Sequence, residues 1–189
     1  MEREKAWALL TTYTKTDSLI KHALAVEAAM RFCAKIYDED EDYWGITGLL
    51  HDFDYETFPD EENHPYRGNE MLEKEGYPEE MRKAVMGHAN YTGVTRDTLL
   101  AKTLFAVDEL AGFIMAVAMV RPSKSVHELT PKSVKKKFKT RAFAAKVNRE
   151  EISQGIQELG VDETEHIQRV IDALKTVADK IGLDGFPMS

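Results

Sequence analysis

The sequence predicts an all-α fold, and three observations carry that reading. Apolar residues recur at intervals of three and four along most of the 189 residues, no useful stretch alternates with period two, and glycine and proline are sparse at 11 and 6. Apolar types at 43% and charged types at 31% exclude collagen-like, disordered and low-complexity classes. The length suits a single hydrophobic core, and no internal repeat is visible.

Each element follows from local pattern. Asp17 or Ser18 can cap a helix whose Leu19, His22, Val26, Met30 and Cys33 share one face, which turns His22 inward. Tyr43 to Leu50 is apolar, has Gly45 and Gly48 where helices can approach closely, and closes on the polar pair His51-Asp52. Phe53 to Asn63 reads as an acidic loop. A helix opens near His64-Pro65 and ends at Gly76, and Pro78 starts the next, in which Met81, Ala84, Val85 and His88 form an inward stripe. Thr98 to Val120 is the longest apolar helix, with Asp108 on the face of Ala101, Leu104, Ala111 and Met115. Pro122 stops it. After a basic stretch from Thr130 to Arg149, two amphipathic helices, Arg149 to Leu159 and Asp162 to Ile181, break at Gly160 and form a helical hairpin on the bundle.

Charge narrows the partners. A net charge of −8 argues against a long nucleic acid or an anionic membrane surface as principal partner. The longest apolar run, Leu110 to Val120, has 11 residues, whereas a membrane-spanning helix needs about 20. Cys33 is the single cysteine, so no intrachain disulfide can form, and the charged start resembles no secretory leader; a cytoplasmic location is expected.

The chemistry lies in the histidines. His127 and His166 sit among polar residues and read as solvated, whereas His22, His51, His64 and His88 occupy apolar-facing or helix-end positions. A buried Asp108 needs a partner, because an unpaired carboxylate in an apolar bundle is costly. Imidazoles and carboxylates together suit one or two divalent transition metals, Fe, Mn, Ni, Co or Zn, with Mg also possible. Ordinary hydrogen-bonded core histidines are the competing reading.

His22, then His51-Asp52 after Gly48-Leu49-Leu50, then His64-Pro65-Tyr66-Arg67-Gly68, then Gly87-His88 and Ala106-Val107-Asp108 together resemble the HD superfamily of metal-dependent phosphohydrolases, over residues 17 to 125. The added His64 and His88 are similar to its binuclear subgroup. The resemblance implies an HD-domain helical bundle, with residues 1–125 as the metal-binding core and 126–189 as a basic segment and C-terminal helices on the same domain. It implies that His22, His51, Asp52 and Asp108 bind one metal and His64 and His88 a second, with Asp52 bridging. Two cations about 3.5–4 Å apart can share a hydroxide and stabilise both oxygens of an in-line phosphoryl displacement. The implied activity is hydrolysis of a phosphate ester of a nucleotide or small phosphorylated metabolite by a metal-bound hydroxide.

The chain departs from the common family pattern after the pair, because His51-Asp52-Phe53-Asp54 lacks the following lysine that contributes to a phosphate pocket. Arg67, Arg121 and Lys124 are the candidates to replace it. Asp52, Asp54 and Arg67 are the candidate catalytic residues; Asp54 or Glu56 is placed to orient water or accept a proton, ahead of Glu109. The basic segment from Lys132 to Arg149 can form a lid or a solvated face. The same ligand set also resembles the inositol-oxygenase type, a di-iron oxygenase, and a non-catalytic nucleotide-binding domain is a third reading. A homo-oligomer through the C-terminal hairpin is possible.

Overall fold

Two 21-residue helices, α2 (Asp17–Tyr37) and α6 (Leu99–Met119), pack against each other at the centre of the computed structural model, which describes residues 2–185. Ten α-helices and no strand occur among the described residues, so the all-α expectation holds. α6 is built from long apolar runs, with fourteen of its residues buried, whereas α2 is amphipathic and buries nine. Thr98 caps α6 by accepting from the Ala101 N–H. The N-cap of α2 is Thr16, one residue ahead of the expected Asp17 or Ser18. Its role is taken up by Glu56, described below.

Around this pair the first half of the chain arranges α1 (Arg3–Tyr13), α3 (Glu41–Leu50), α4 (Tyr66–Lys74) and α5 (Glu79–Gly87). α3 lies along α2, α5 lies against α6, and α4 packs on α5. Close approach of α3 to α2 depends on Gly48: a Cβ there would stand 2.8 Å from Met30 Cγ and 2.9 Å from the Val26 carbonyl oxygen. The prediction that small residues in this segment mark a helix crossing is thereby borne out, and the crossing sets the two histidine-bearing helices side by side.

The C-terminal part forms α7 (Pro131–Phe138), α8 (Arg149–Leu159), α9 (Glu163–Lys175) and α10 (Ala178–Ile181). α8 lies on α6 and α9 on α2 and α6, so Ile152, Ile167, Val170, Ile171 and Leu174 join the same apolar cluster as Val26, Met30 and Leu104. Each such side chain contributes roughly 1.5–3 kcal/mol on burial. A second, smaller cluster, centred on Leu10, Ile46, Leu49, Phe53, Leu72 and Met81, lies under α1, α3, α4 and α5. His51 and Asp52 follow directly on Leu50 of the smaller cluster, and Asp108 follows Val107 of the larger. The polar site is therefore anchored from both.

Two helices have no counterpart in the sequence reading. α1 buries only Ala6 and Leu10 completely, a stripe too thin to register, and is held in addition by a two-pronged pair from Arg3 to Glu27 at 2.6 and 2.7 Å. α7 is masked by its lysines. Its start is nevertheless written in Thr130-Pro131-Lys132-Ser133, where Thr130 and Ser133 cap each other and proline occupies the first turn. No described helix is long and apolar enough to cross a membrane.

Candidate metal centre

Five separate segments bring six side chains together. His22 comes from α2, His51 and Asp52 from the end of α3, His64 from the turn before α4, His88 from the end of α5, and Asp108 from the middle of α6. They form two triads. In the first, Asp108 Oδ1 lies 2.9 Å from His22 Nε2 and 3.2 Å from His51 Nε2. In the second, Asp52 Oδ1 lies 3.2 Å from His64 Nε2 and 3.1 Å from His88 Nε2, with the two Nε2 atoms 3.3 Å apart. Asp52 joins them, because its other oxygen, Oδ2, is 3.4 Å from His51 Nε2.

The imidazoles are aimed by what their far nitrogens touch. His51 Nδ1 donates to the Gly48 carbonyl at 2.8 Å, His88 Nδ1 donates to the Val85 carbonyl, and His64 Nδ1 donates to Asp54 Oδ1 at 2.9 Å. With Nδ1 protonated, each Nε2 presents a lone pair to the carboxylates, an arrangement that repels unless a cation or proton stands between. His51 makes the case most sharply: it is fully buried, and its Nε2 has no hydrogen-bond partner. A buried orphan acceptor facing two carboxylates fits a metal ion. Each triad offers three ligand atoms within 4.8 Å of one another, and a mixed imidazole and carboxylate set suits Mn, Fe, Co, Ni or Zn.

Without a metal, protons take that place. Burial opposes charge on His51 and His64, but Asp52 and Asp108 outweigh it at His51, and Asp52 and Asp54 outweigh it at His64, so the first is held well above the usual imidazole range and the second is pushed up to about 9. Burial likewise opposes ionisation of Asp52 and Asp108, yet their imidazole neighbours, His51 foremost, hold both below the usual carboxylate range.

Residues 19–112 match the family model of the HD domain. The chain belongs to the HD superfamily. No curated protein and no solved structure matches it. HD domains bind divalent metals, and the family is in general one of metal-dependent hydrolases. In this HD domain all six of the histidines and aspartates named from the sequence as metal candidates meet at one place.

The other residues singled out in the sequence part company with it. Asp54 is sealed in: its Oδ1 is taken by His64 and its Oδ2 by the Gly68 N–H at 2.8 Å, with 1% of the side chain exposed, so it orients His64 and does not face water. Gly68 makes room for it, since a Cβ there would stand 2.7 Å from the Asp54 carboxyl carbon. Glu56 caps the start of α2, accepting from the backbone N–H groups of Lys15 and Thr16 at 2.7 and 3.0 Å. Arg67 is half-exposed, pairs with Glu70 at 3.2 Å and does not line the site. Arg121 pairs with Glu128 and lines a different hollow with Val117, Val120 and Lys136, beyond the end of α6, about 16 Å of helix from Asp108. Lys124 lies in the turn that follows.

His127 is exposed beside Asp184, as expected. His166, read from the sequence as solvated, is fully buried and donates from Nε2 to the Ala106 carbonyl at 3.0 Å, pinning α9 to the helix that carries Asp108. Its polar neighbours in sequence obscured a stripe of 166, 170, 173 and 174 that was visible as helical spacing.

Beside the two triads opens a cavity of about 380 Å³, also walled by Tyr55, Ala89, Asn90, Tyr91, Glu109, Gly112, Val147 and Glu151. Among the described residues no lysine or arginine lines it. Burial, and then the adjacent Asp108 carboxylate, push Glu109 up to about 7; burial also raises Glu151. Of the basic segment only Val147 reaches this wall. The guanidinium of Arg149 ties the segment together by donating to the carbonyls of Phe138, Thr140, Phe143, Ala144 and Val147.

Proposed function

We propose that this HD-domain protein is a metal-dependent phosphohydrolase that cleaves a phosphate ester of a nucleotide or another small metabolite. The observation that carries the reading is Asp52, whose two carboxylate oxygens address different triads, Oδ1 facing His64 and His88 and Oδ2 facing His51. His22, His51, Asp52 and Asp108 would hold one divalent ion and His64, His88 and Asp52 the other. Such a pair supplies a hydroxide nucleophile at neutral pH and offsets charge on the attacking and leaving oxygens.

The chain's own residues do the rest. Gly48, Val85 and Asp54 lock the tautomers that present Nε2 to the site, and the two apolar clusters on either side hold the ligand-bearing helices rigid. Asp54 is a positioning residue acting through His64. With no cationic side chain on the cavity wall, neutralising the phosphate falls to the metals.

The test is elemental analysis of protein purified without chelator, followed by phosphate release from a panel of esters with Mn, Co, Ni, Fe or Mg. The expected result is metal-dependent release that Asp52→Ala abolishes. Undiminished turnover in that variant, or iron-dependent oxygen consumption with no phosphate release, would overturn the proposal.

A further inference from the structure

The cavity wall opposite the triads has an unusual composition for a site that handles phosphate. Four carboxylates face or line it, Asp52 and Asp108 among the ligands and Glu109 and Glu151 above them, and no lysine or arginine accompanies them. Two divalent ions would carry four positive charges, set against the carboxylates of Asp52 and Asp108 and, above them, Glu109 and Glu151. One phosphate dianion can then be held by the metals alone, whereas the further phosphates of a nucleoside di- or triphosphate would face Glu109 and Glu151 with no lysine or arginine on the cavity wall to receive them.

Arg96, whose charge is felt at Glu151, is paired with Glu158 and not with either glutamate of the wall. Glu109 accepts from the Asn148 backbone N–H at 3.2 Å, and Glu151 accepts from the Asn90 side-chain amide at 3.0 Å; both donors are neutral, and neither glutamate forms an ion pair among the described residues. These bonds fix the carboxylates in place without neutralising them. Tyr55 and Tyr91 stand on the same wall, about two-fifths exposed. Tyr91 is anchored by its hydroxyl, which donates to the His64 carbonyl at 2.9 Å, and Tyr55 meets the His64 ring edge to face at 5.2 Å. Fixed carboxylates and fixed aromatic rings around one opening are what an ammonium group recognises, through charge-assisted hydrogen bonds and cation–π contact. His22, Asp52, His64, His88 and Asp108 of the two candidate triads line the same cavity as Glu109, Glu151, Tyr55 and Tyr91, so the wall surrounds a ligand pocket and is not a solvated acidic face.

Resting on the phosphohydrolase reading, we infer that the preferred substrate is a small phosphomonoester whose alcohol carries an ammonium group, which Glu109, Glu151, Tyr55 and Tyr91 receive while the phosphate meets the metals.

The test compares 2-aminoethyl phosphate and phosphocholine with the uncharged propyl phosphate and with a nucleoside monophosphate and triphosphate, on metal-loaded protein. Two readouts are taken, kcat/KM for phosphate release and Kd by calorimetry, so that binding is measured whether or not turnover occurs. The ammonium esters are expected to lead propyl phosphate by roughly tenfold or more, and Glu109→Gln with Glu151→Gln, which keep shape and acceptors, to collapse that ratio. Equal values for propyl phosphate, preference for the triphosphate, or a ratio untouched by the glutamine variants would overturn the inference. Ammonium preference in Kd with no release from any ester would sink the hydrolase reading, and with it the ester as substrate, while showing that the wall itself receives an ammonium group.

Discussion

Asp54 and His64 form a closed unit: the carboxylate accepts the Nδ1 proton at 2.9 Å with one oxygen and the Gly68 N–H with the other, and both side chains are almost wholly buried. The pair explains how a residue two positions after Asp52 serves the site without facing it. Asp54→Ala should free the His64 ring and lower affinity for the ion at the second triad by about 10–100-fold, leaving the first triad's ion in place. Metal titration followed by stoichiometry checks this; retention of two ions with unchanged affinity would exclude the positioning role.

The two triads should also come apart under substitution of their own members. His22→Ala removes a ligand from the Asp108 triad, and His88→Ala removes one from the Asp52 triad. Each single variant is expected to retain about one ion, whereas Asp52→Ala, which touches both, should fall below one and show less than about one hundredth of the parent turnover. Elemental analysis beside phosphate release reads this out. Two ions remaining in the His88→Ala protein would show that the second triad is not a metal site.

How much of this was legible in the sequence differs by residue, for physical reasons. The inward positions of His22, His88 and Asp108 were legible because each lies on, or just beyond, a periodic helix, where spacing turns a side chain inward: His22 with Val26 and Met30, His88 with Ala84 and Val85, Asp108 with Leu104 and Ala111; that they join His51, Asp52 and His64 at one site came from the resemblance to the HD superfamily. Arg67 and Arg121 were not placed correctly, because cation chemistry says what a phosphate would welcome but not which way a surface helix faces; both found acidic partners nearby in sequence. Glu109 and Glu151 carried no local signal as a pair, being brought to one wall only by the packing of α8 on α6. α1 stayed hidden because its burial is thin and its tie, Arg3 to Glu27, spans 24 residues.

Gly48 tests whether the site depends on the helix crossing beneath it. Gly48→Ala places a methyl group 2.9 Å from the Val26 carbonyl, a backbone atom that cannot swing away, and should cost about 1–3 kcal/mol. For a chain of this length that is a fall in Tm of roughly 2–12 °C. Because His51 bonds to the Gly48 carbonyl, metal affinity should fall as well. Thermal unfolding with and without added Mn separates the two effects, and an unchanged Tm would show that α2 and α3 can move apart freely.

pH offers a test on the metal-free protein. His64 has a folded-state pKa of about 9 against an ordinary value of 6.5, and His51 is displaced in the same direction, because nearby carboxylates overcome burial. Groups raised in this way contribute stability that is complete below about 6.5 and is lost as pH rises through the folded value. Asp52 and Asp108 are displaced downward, so their contribution is present above about 4 and is lost only in acid. Chelator-treated protein should therefore be most stable between about pH 4 and 6.5 and weaken by something on the order of 1–3 kcal/mol toward pH 9. Metal acts in the opposite sense, since it needs neutral imidazoles: added Mn should stabilise little at pH 6 and strongly at pH 8–9. Denaturant unfolding at pH 6, 7.5 and 9, with and without Mn, measures both trends. In His64→Gln the decline of the metal-free protein should flatten; a metal-free parent whose stability does not change from pH 6 to 9 would mean that the imidazoles and carboxylates are not facing one another in solution.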